Sequence, residues 1–285
     1  MTQTPPAPAV VAGEAAAAVV DIEPQAATPD LRAAAFFDID NTVVRGASLF
    51  HLARGLASRK FFSASDVATF AWQQAKFRIA GSEDLDDMAS AIDVALSFVA
   101  GHSVDEVSQL SDEIFDERIE SKLYAGTIAL AQQHLDAGQR VWLVSAAPVE
   151  VAGLIAHKLG LTGALGTVSE VVGGVYTGRL VGAPLHGPAK AEAVRALAER
   201  EDLDLPLCAA YSDSSNDIPM LTLVGQPVAV NPDSRLRRHA RALGWRTYDY
   251  RTGRKAVRIG VPTAAITGAA TGIVVGVLTS KRRRR

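Results

Sequence analysis

The sequence predicts an α/β fold: a Rossmann-like parallel sheet, an all-helical cap inserted into it, and an apolar C-terminal helix. Short apolar runs alternate with amphipathic segments along much of the chain, a pattern typical of strands and helices in a parallel sheet. One helical stretch interrupts this alternation directly after the first strand, which indicates an inserted cap. At 285 residues and 48% hydrophobic composition, the chain is long enough to bury a sizeable core.

The first strand is predicted at 33–37, because this fully apolar run is of the kind that buried parallel strands show. Apolar residues three and four apart then predict four cap helices, near 48–59, 65–80, 84–99 and 103–121, so the cap occupies about 46–123. After the cap, the core is predicted to continue with a helix at 127–137, a strand at 140–145, a helix at 148–159 and a hairpin around 173–174. A helix at 188–200, a strand at 207–212, a helix at 216–223, a strand at 227–230 and a helix at 233–243 are predicted to follow.

The core with its cap is therefore predicted at 32–245. Residues 1–31 are rich in Ala, Pro and Thr without lasting periodicity, so we expect a disordered extension. Its apolar run has no preceding basic region, so it is not predicted to be a signal peptide. The single cysteine, Cys208, excludes a disulfide framework, and the six scattered histidines show no zinc-like spacing. Any bound metal is therefore expected to be a hard cation held by carboxylates.

Positive charge is concentrated at the C-terminus. Residues 235–285 contain 14 of the 29 Lys and Arg residues and one acid, Asp249. A basic tail on an acidic body favours an anionic surface as a partner. Nucleic acid is not predicted as that partner, because the tail has no interleaved aromatic residues and no recognisable motif.

The C-terminal region is interpreted as a basic linker at 246–258, a transmembrane helix at 259–280 and a basic tail at 281–285. The middle segment has 22 residues without charge, and as a helix it extends about 33 Å at roughly 1.5 Å per residue, enough to cross a bilayer core. A buried small-residue helix packed on the core or on a partner is the open alternative. We expect the domain at 32–245 on the cytoplasmic face of the cell membrane, and glycines spaced four apart offer a surface for self-association: Gly268, Gly272 and Gly276.

Candidate catalytic side chains lie where predicted strands end. Asp38 and Asp40 follow the first strand, Ser145 ends the strand after the cap, and Asp213 follows a later strand. Lys190 lies in the first turn of a helix. In a doubly wound sheet, ligands bind beyond the carboxyl ends of the strands, so these side chains are expected to converge. Three carboxylates suit Mg²⁺, a carboxylate can attack phosphorus, and an ammonium can hold phosphate oxygens.

Four segments resemble the ordered motifs of haloacid dehalogenase superfamily phosphatases: Asp38-Ile-Asp-Asn-Thr42, Ser145, Lys190 and Asp213-Ser-Ser-Asn-Asp217. The helical insert resembles the cap of the phosphoserine-phosphatase-like branch, subfamily IB. The resemblance covers roughly 33–245 and implies a Mg²⁺-dependent phosphomonoesterase. It implies that Asp38 is the nucleophile and Asp40 the acid/base, and that the metal ligands are Asp38, Asp213 and the Asp40 backbone carbonyl. The resemblance implies that the phosphate contacts are Thr42, Ser145, the neighbouring Ala146 backbone and Lys190. It implies that Asp217 supports Lys190, while Asn216 is either a further site residue or a helix cap.

These motifs do not identify the leaving group of the substrate. Phosphoserine phosphatases have a glutamate shortly after the first motif that pairs with the substrate ammonium, whereas 43–48 contains no acid here. The arginine that binds the serine carboxylate in those enzymes is not evident, and Arg45 and Arg78 are the candidates for it. Arg45 either binds a second anionic group of the substrate or is a solvated loop arginine. We therefore expect a small or lipid-linked phosphomonoester and poor use of phosphoserine. The alternatives are a phosphotransferase of the same fold and a membrane-bound regulatory protein with a silent hydrolase fold.

Overall fold

The computed structural model describes residues 31–59, 61, 96 and 99–251. The strands are β1 Ala34–Phe37, β2 Arg140–Pro148, β3 Gly163–Thr167, β4 Ser169–Val172, β5 Val175–Leu180, β6 Ala209–Ser212, β7 Gln226–Val230 and β8 Arg246–Tyr248. The α-helices are α1 Ser48–Ser58, α2 Val104–Ile114, α3 Ala125–Asp136, α4 Val149–Lys158, α5 Pro188–Arg200, α6 Ile218–Leu221 and α7 Ser234–Leu243. A π-helical turn spans Phe115–Ile119, and 3₁₀ turns span Glu120–Lys122, Leu205–Leu207 and Ser215–Asp217.

The core is a six-stranded parallel sheet in the order β3-β2-β1-β6-β7-β8, as the alternation of strands and helices predicts. Helices cover both faces of its centre, so β1 is buried along its whole length. Phe36 and Phe37 point to opposite faces and pack into two separate hydrophobic clusters. A strand buried on both faces must be apolar at every position, which explains its uninterrupted Ala and Phe run.

The register of the central strands places the predicted motifs at one edge of the sheet. Phe37, the last residue of β1, pairs with Leu143 on β2 and with Tyr211 on β6. Asp38 follows directly, and Asp213 lies two residues beyond Tyr211. The parallel arrangement therefore brings these strand ends together, as the sequence predicts.

The chain leaves the core to form the cap and returns to the core at the same point. Val44 forms bridges with Asp40 and with Leu123, and the Tyr124 amide donates to the Val43 carbonyl at 2.9 Å. The hairpin β4–β5, predicted around 173–174, joins the cap through a bridge between Ser103 and Val175. Of the cap helices predicted at 65–80 and 84–99, only residues 96 and 99 are described, and both are helical.

Several boundaries differ from the sequence expectation. The strand predicted at 140–145 continues to Pro148 as β2. The predicted helix 103–121 ends at Ile114 and continues as π and 3₁₀ turns, and 216–223 divides into a 3₁₀ turn and the short α6. The sheet also extends past the boundary predicted at 245, because β8 pairs with β7 through Tyr248. Strand β3 was not expected either. Both extra strands are short edge strands without an apolar run, so their sequences lack the pattern of a buried strand.

Several predicted features lie outside the described residues: positions 1–30 of the N-terminal extension, most of the linker, the segment 259–280, the tail 281–285 and Arg78. Across the ranges that the structure does describe, no helix combines the length and apolarity needed to cross a bilayer.

Candidate active site

Asp38 begins the loop that leaves the central strand. Its backbone amide donates to the Tyr211 carbonyl at 2.9 Å, which extends the ladder between β1 and β6 by one residue. The side chain is 5% exposed, and its Oδ2 accepts a hydrogen bond from Thr42 Oγ1 at 3.0 Å. The Thr42 carbonyl in turn accepts from Thr127 Oγ1 on α3 at 2.7 Å. The loop is therefore anchored at both ends, and the carboxyl group of Asp38 has a fixed orientation.

Lys190 links Asp38 to the loop after β6. It lies in the first turn of α5, which begins after Gly187, a residue with φ of 54°. Its Nζ donates to Asp38 Oδ1 at 2.5 Å and to Asp217 Oδ2 at 2.8 Å. Asp217 Oδ2 also accepts from Ser212 Oγ at 2.7 Å. All three charged residues are at most 5% exposed, so they form a buried, hydrogen-bonded ion triad.

For Asp38 and Lys190, burial and the opposite charge of the ion-pair partner shift the pKa in opposite directions. Burial raises the pKa of Asp38 to about 7, and the Lys190 charge opposes that rise. Burial by itself lowers the pKa of Lys190, but the carboxylates of Asp217 and Asp38 outweigh it, so the net shift is upward. Lys190 therefore remains a cation and supplies a fixed positive charge beside the predicted nucleophile.

Asp213 lies beside the same triad at the end of β6. Its carbonyl accepts from the Asp233 amide at 2.8 Å, which ties it to the start of α7. Burial raises the pKa of Asp213 to about 9, with the Asp38 charge as a further cause. Two other acids, Asp40 and Asp217, contribute to the negative potential here. Four acids thus surround the Lys190 ammonium, an excess of negative charge that a cation would relieve.

Asp40 faces the cap. Its Oδ1 accepts from the backbone amide of Ser48, the first residue of α1, at 2.8 Å. Burial raises the pKa of Asp40 above its ordinary value, and the Ser48 hydrogen bond opposes that shift. A carboxyl group with a raised pKa, held at the entrance to the cap, suits the acid/base role that the resemblance implies.

Fewer than three carboxylate side chains are available to bind a metal among the described residues of the site. Among the described residues, no group of three or more His, Cys, Asp and Glu side chains is arranged to hold a metal ion. The Asp40 side chain is engaged by Ser48 instead. The remaining set, the carboxylates of Asp38 and Asp213 with the Asp40 backbone carbonyl, consists of hard oxygen donors, which fit Mg²⁺. This ligand set stays a prediction.

The second predicted phosphate-contact segment lies inside β2, close to the same strand ends. Ser145 is 1% exposed, and its Oγ accepts from the Ala147 amide at 3.1 Å. The Ala146 carbonyl accepts from Thr167 Oγ1 on β3 at 2.7 Å, so the neighbouring edge strand holds this part of β2 in place. The phosphate contacts of Thr42, Ser145, Ala146 and Lys190 remain predictions.

The other predicted residues occupy different positions. Asn216 lies in the 3₁₀ turn before Asp217, and its backbone amide donates to Ser214 Oγ at 3.2 Å. Arg45 is exposed beside the cap entrance, with its guanidinium carbon 5.3 Å from the centre of the Tyr124 ring. Its carbonyl is 2.9 Å from a ring nitrogen of His51. Arg45 is therefore packed on the cap side of the entrance.

One residue that shapes the site escaped the sequence analysis. Asn231 is 1% exposed, with φ of 50°, and its Nδ2 donates to the Asn41 carbonyl at 2.8 Å. Its Oδ1 accepts from the Tyr250 amide at 2.7 Å, so it joins the loop after β1 to the segment that follows β8. The available signal was an Asn-Pro pair after the strand 227–230, a pattern typical of turns.

The fold and site together define a class of protein: an α/β phosphohydrolase with a helical cap inserted after the first strand. The chain matches the family of haloacid dehalogenase-like hydrolases over residues 35–222, and it belongs to that family. Within it the chain is phosphoserine-phosphatase-like, and it is a phosphatase.

One curated relative and two solved structures illustrate what the chain is similar to. The chain is 56% identical over 256 residues to a Mycobacterium tuberculosis protein named phosphoserine phosphatase SerB1, covering 90% of this chain and 83% of that protein. A crystal structure of a Bordetella pertussis protein of unknown function has a TM-score of 0.69 at 30% identity and covers 77% of this chain and 99% of that one. A phosphoserine phosphatase solved as a phospho-aspartyl intermediate analogue has a TM-score of 0.54 at 19% identity, covering 80% and 98%, and it shares the fold.

Proposed function

We propose that this protein is a Mg²⁺-dependent phosphomonoesterase in which Asp38 forms an aspartyl phosphate. The observation that carries the proposal is the environment of the Asp38 carboxyl group. One oxygen accepts from Thr42 and the other from the Lys190 ammonium, at the carboxyl end of the central strand. A nucleophilic carboxylate needs this fixed orientation and a nearby positive charge, because it must approach an anionic phosphate.

The reaction divides into two steps. A carboxylate oxygen of Asp38 attacks phosphorus, the bond between phosphorus and the ester oxygen breaks, and Asp40 gives its proton to the leaving alkoxide. Asp40 then takes a proton from water, whose oxygen attacks phosphorus and releases phosphate and the free Asp38 carboxylate. The raised pKa of Asp40 supports the protonated state that the first step requires.

The cationic and hydroxyl groups of the site stabilise the transferring phosphoryl group. Lys190 is held in place by Asp217, which is itself fixed by Ser212. On substrate binding, the ammonium moves its hydrogen bond from Asp38 to a phosphoryl oxygen, where charge gathers in the transition state. Ser145 is the proposed second contact from the neighbouring strand.

Mg²⁺ would be held by Asp38, Asp213 and the Asp40 carbonyl. When bound, it offsets the repulsion between the carboxylate nucleophile and the phosphate dianion. The excess of acids around Lys190 and the raised pKa of Asp213 support a cation at this position.

The test is phosphate release from an aryl phosphate by the full-length protein, with Mg²⁺ or with EDTA. Asp38→Asn should abolish Mg²⁺-dependent release, because an amide does not form the acyl phosphate. Asp116→Asn is a matched control, because Asp116 is exposed and pairs with Lys158 away from the site. Mass spectrometry must confirm the variant, since deamidation regenerates Asp38. Wild-type turnover by a confirmed Asp38→Asn protein would falsify the nucleophile assignment.

We further propose attachment to the inner face of a membrane through 259–280. The support is its uncharged length and the basic residues on both sides. After cell fractionation, the full-length protein should stay in the membrane pellet through high-salt and carbonate washes. Release by salt alone would mean that the tail only lies on the surface, and recovery of the protein outside the membrane fraction would contradict attachment.

A further inference from the structure

A mainly apolar cavity lies between the cap and the core. Its volume is about 80 Å³, and aliphatic side chains of α1, α2, the start of α4 and the hairpin form most of its described wall. The residues that matter most here are Leu52, Leu56, Leu96, Val107, Val151 and Leu180. Such a wall favours hydrocarbon over charged groups, because a charge buried there loses its hydration.

The cavity adjoins the candidate active site through the end of β2. Ala146 lines it, and Ala146 directly follows Ser145, the predicted phosphate contact. Thr167, which donates to the Ala146 carbonyl, lines it as well. The cavity therefore begins one residue beyond Ser145, the predicted contact of the phosphate group.

One acidic side chain lies in the otherwise apolar wall. Glu150, in the first turn of α4, lines the cavity and accepts a hydrogen bond from the hydroxyl of Tyr176, which is 4% exposed. The other carboxylate oxygen, Oε2, is buried and has no hydrogen-bond partner among the described residues. A helix N-terminus favours an acid at this position, but that effect does not require burying an oxygen without a partner. An unsatisfied buried carboxylate oxygen is costly unless a ligand donates to it.

The wall also argues against an acidic ligand. Within the described part of the cavity lining there is no Lys, Arg or His, and Glu150 is the charged residue. A carboxylate on the leaving group would meet hydrocarbon and a like charge. An ammonium would instead meet Glu150 Oε2, and the carbon chain that carries it would pack on the leucines and valines.

We infer that this cavity receives the leaving group of the substrate, and that this group has an aliphatic body and one protonated amine, which pairs with Glu150, but no carboxylate. The inference rests on the proposed phosphatase function, since it concerns the alcohol part of the ester. Glu150 thereby becomes a specificity-determining residue located on the core, away from 43–48, where the sequence offers no acid.

The inference is tested by binding, which does not depend on turnover. The full-length protein with Mg²⁺ is titrated by calorimetry with three non-hydrolysable phosphonates: aminobutyl phosphonate, butyl phosphonate and the phosphonate analogue of phosphoserine. Aminobutyl phosphonate should bind about tenfold more tightly than butyl phosphonate, because only it pairs with a buried charge. The phosphoserine analogue should bind most weakly of the three.

Glu150→Gln should reduce the tenfold preference for the amine to less than about twofold, while Glu199→Gln, an exposed acid on α5, should retain it. If the Glu150→Gln protein does not fold, the relative affinities of the three phosphonates for the wild-type protein still test which leaving group the cavity accepts. Equal binding of the two alkyl ligands, or tightest binding of the phosphoserine analogue, would overturn the inference. Retained preference in a folded Glu150→Gln protein would overturn the role of Glu150.

Failure of the proposed function has a different signature. The aryl phosphate assay measures turnover with a leaving group that contains no amine. Absence of Mg²⁺-dependent turnover there contradicts the phosphatase mechanism and leaves the binding order as a separate result. Normal turnover with no binding preference contradicts only the assignment of the cavity.

Discussion

The Nζ of Lys190 lies 2.5 Å from Asp38 Oδ1, although 152 residues separate the two in the chain. Lys190 reaches this position because α5 starts beside the loop that follows β6, and Asp217 on that loop holds the same ammonium at 2.8 Å. The contact places a buried cation beside the proposed nucleophile. It also joins two distant segments of the core through a residue that we propose contacts phosphate.

Replacing Lys190 with Met should therefore destabilise the fold as well as abolish phosphate release. The carboxylates of Asp38 and Asp217 would remain buried without their cation, and removing one partner of a buried ion pair costs about 3–5 kcal/mol. Urea denaturation in EDTA measures the free energy of unfolding. Lys158→Met is the control, because Lys158 pairs with Asp112 and Asp116 at the surface and should change stability little. Equal losses in the two variants would mean that the buried triad has no special role in stability.

Asp40→Asn should slow turnover by about 10²–10⁴-fold and leave Mg²⁺ affinity largely intact. Asparagine retains an oxygen that accepts from the Ser48 amide, so the cap entrance should keep its geometry. With an aryl phosphate, whose leaving group needs little protonation, the first step should proceed while hydrolysis of the aspartyl phosphate stalls. A burst of released phenol with accumulation of phosphoenzyme checks this. Unchanged steady-state turnover would remove Asp40 from the acid/base role.

Mg²⁺ should stabilise the protein more at pH 8 than at pH 6. In the absence of metal, burial raises the pKa of Asp213 to about 9 and that of Asp38 to about 7, above the unfolded value of about 3.9. Between these values the folded chain binds more protons than the unfolded chain, so the stability of the metal-free protein falls as pH rises. Bound Mg²⁺ replaces those protons. Melting temperatures with Mg²⁺ and with EDTA measure the difference, and a shift that does not grow with pH would contradict the assigned ligands.

Asn231→Asp should lower turnover by disturbing the loop that contains Asp40. The substitution keeps an oxygen for the Tyr250 amide but removes the Nδ2 donor to the Asn41 carbonyl, at a cost of about 1–3 kcal/mol. Since Asn231 is a positioning residue, kcat should fall while KM stays within about twofold. Wild-type kcat in a destabilised Asn231→Asp protein would limit Asn231 to a structural role.

Much of the architecture follows from local sequence pattern. The apolar run before Asp38 and the alternation after Gly126 predict a parallel sheet, because strands covered on both faces leave no position for polar side chains. The ends of those runs then locate Asp38 and Asp213, since parallel strands deliver their carboxyl ends to one edge. The sequence by itself therefore determined the fold class, the order of the central strands and the positions where chemistry was expected.

Contacts between distant elements were decided only by the tertiary structure. Periodicity does not specify that Glu150 meets the cap leucines in one cavity, that Asn231 holds the loop after β1, or that Tyr248 adds an edge strand. The Asp40 side chain likewise turned to Ser48 instead of joining a three-carboxylate cluster. These arrangements depend on which helix and strand faces pack together, and that choice is made by shape and hydrogen bonding between segments far apart in the chain, about which a local hydrophobic pattern contains no information.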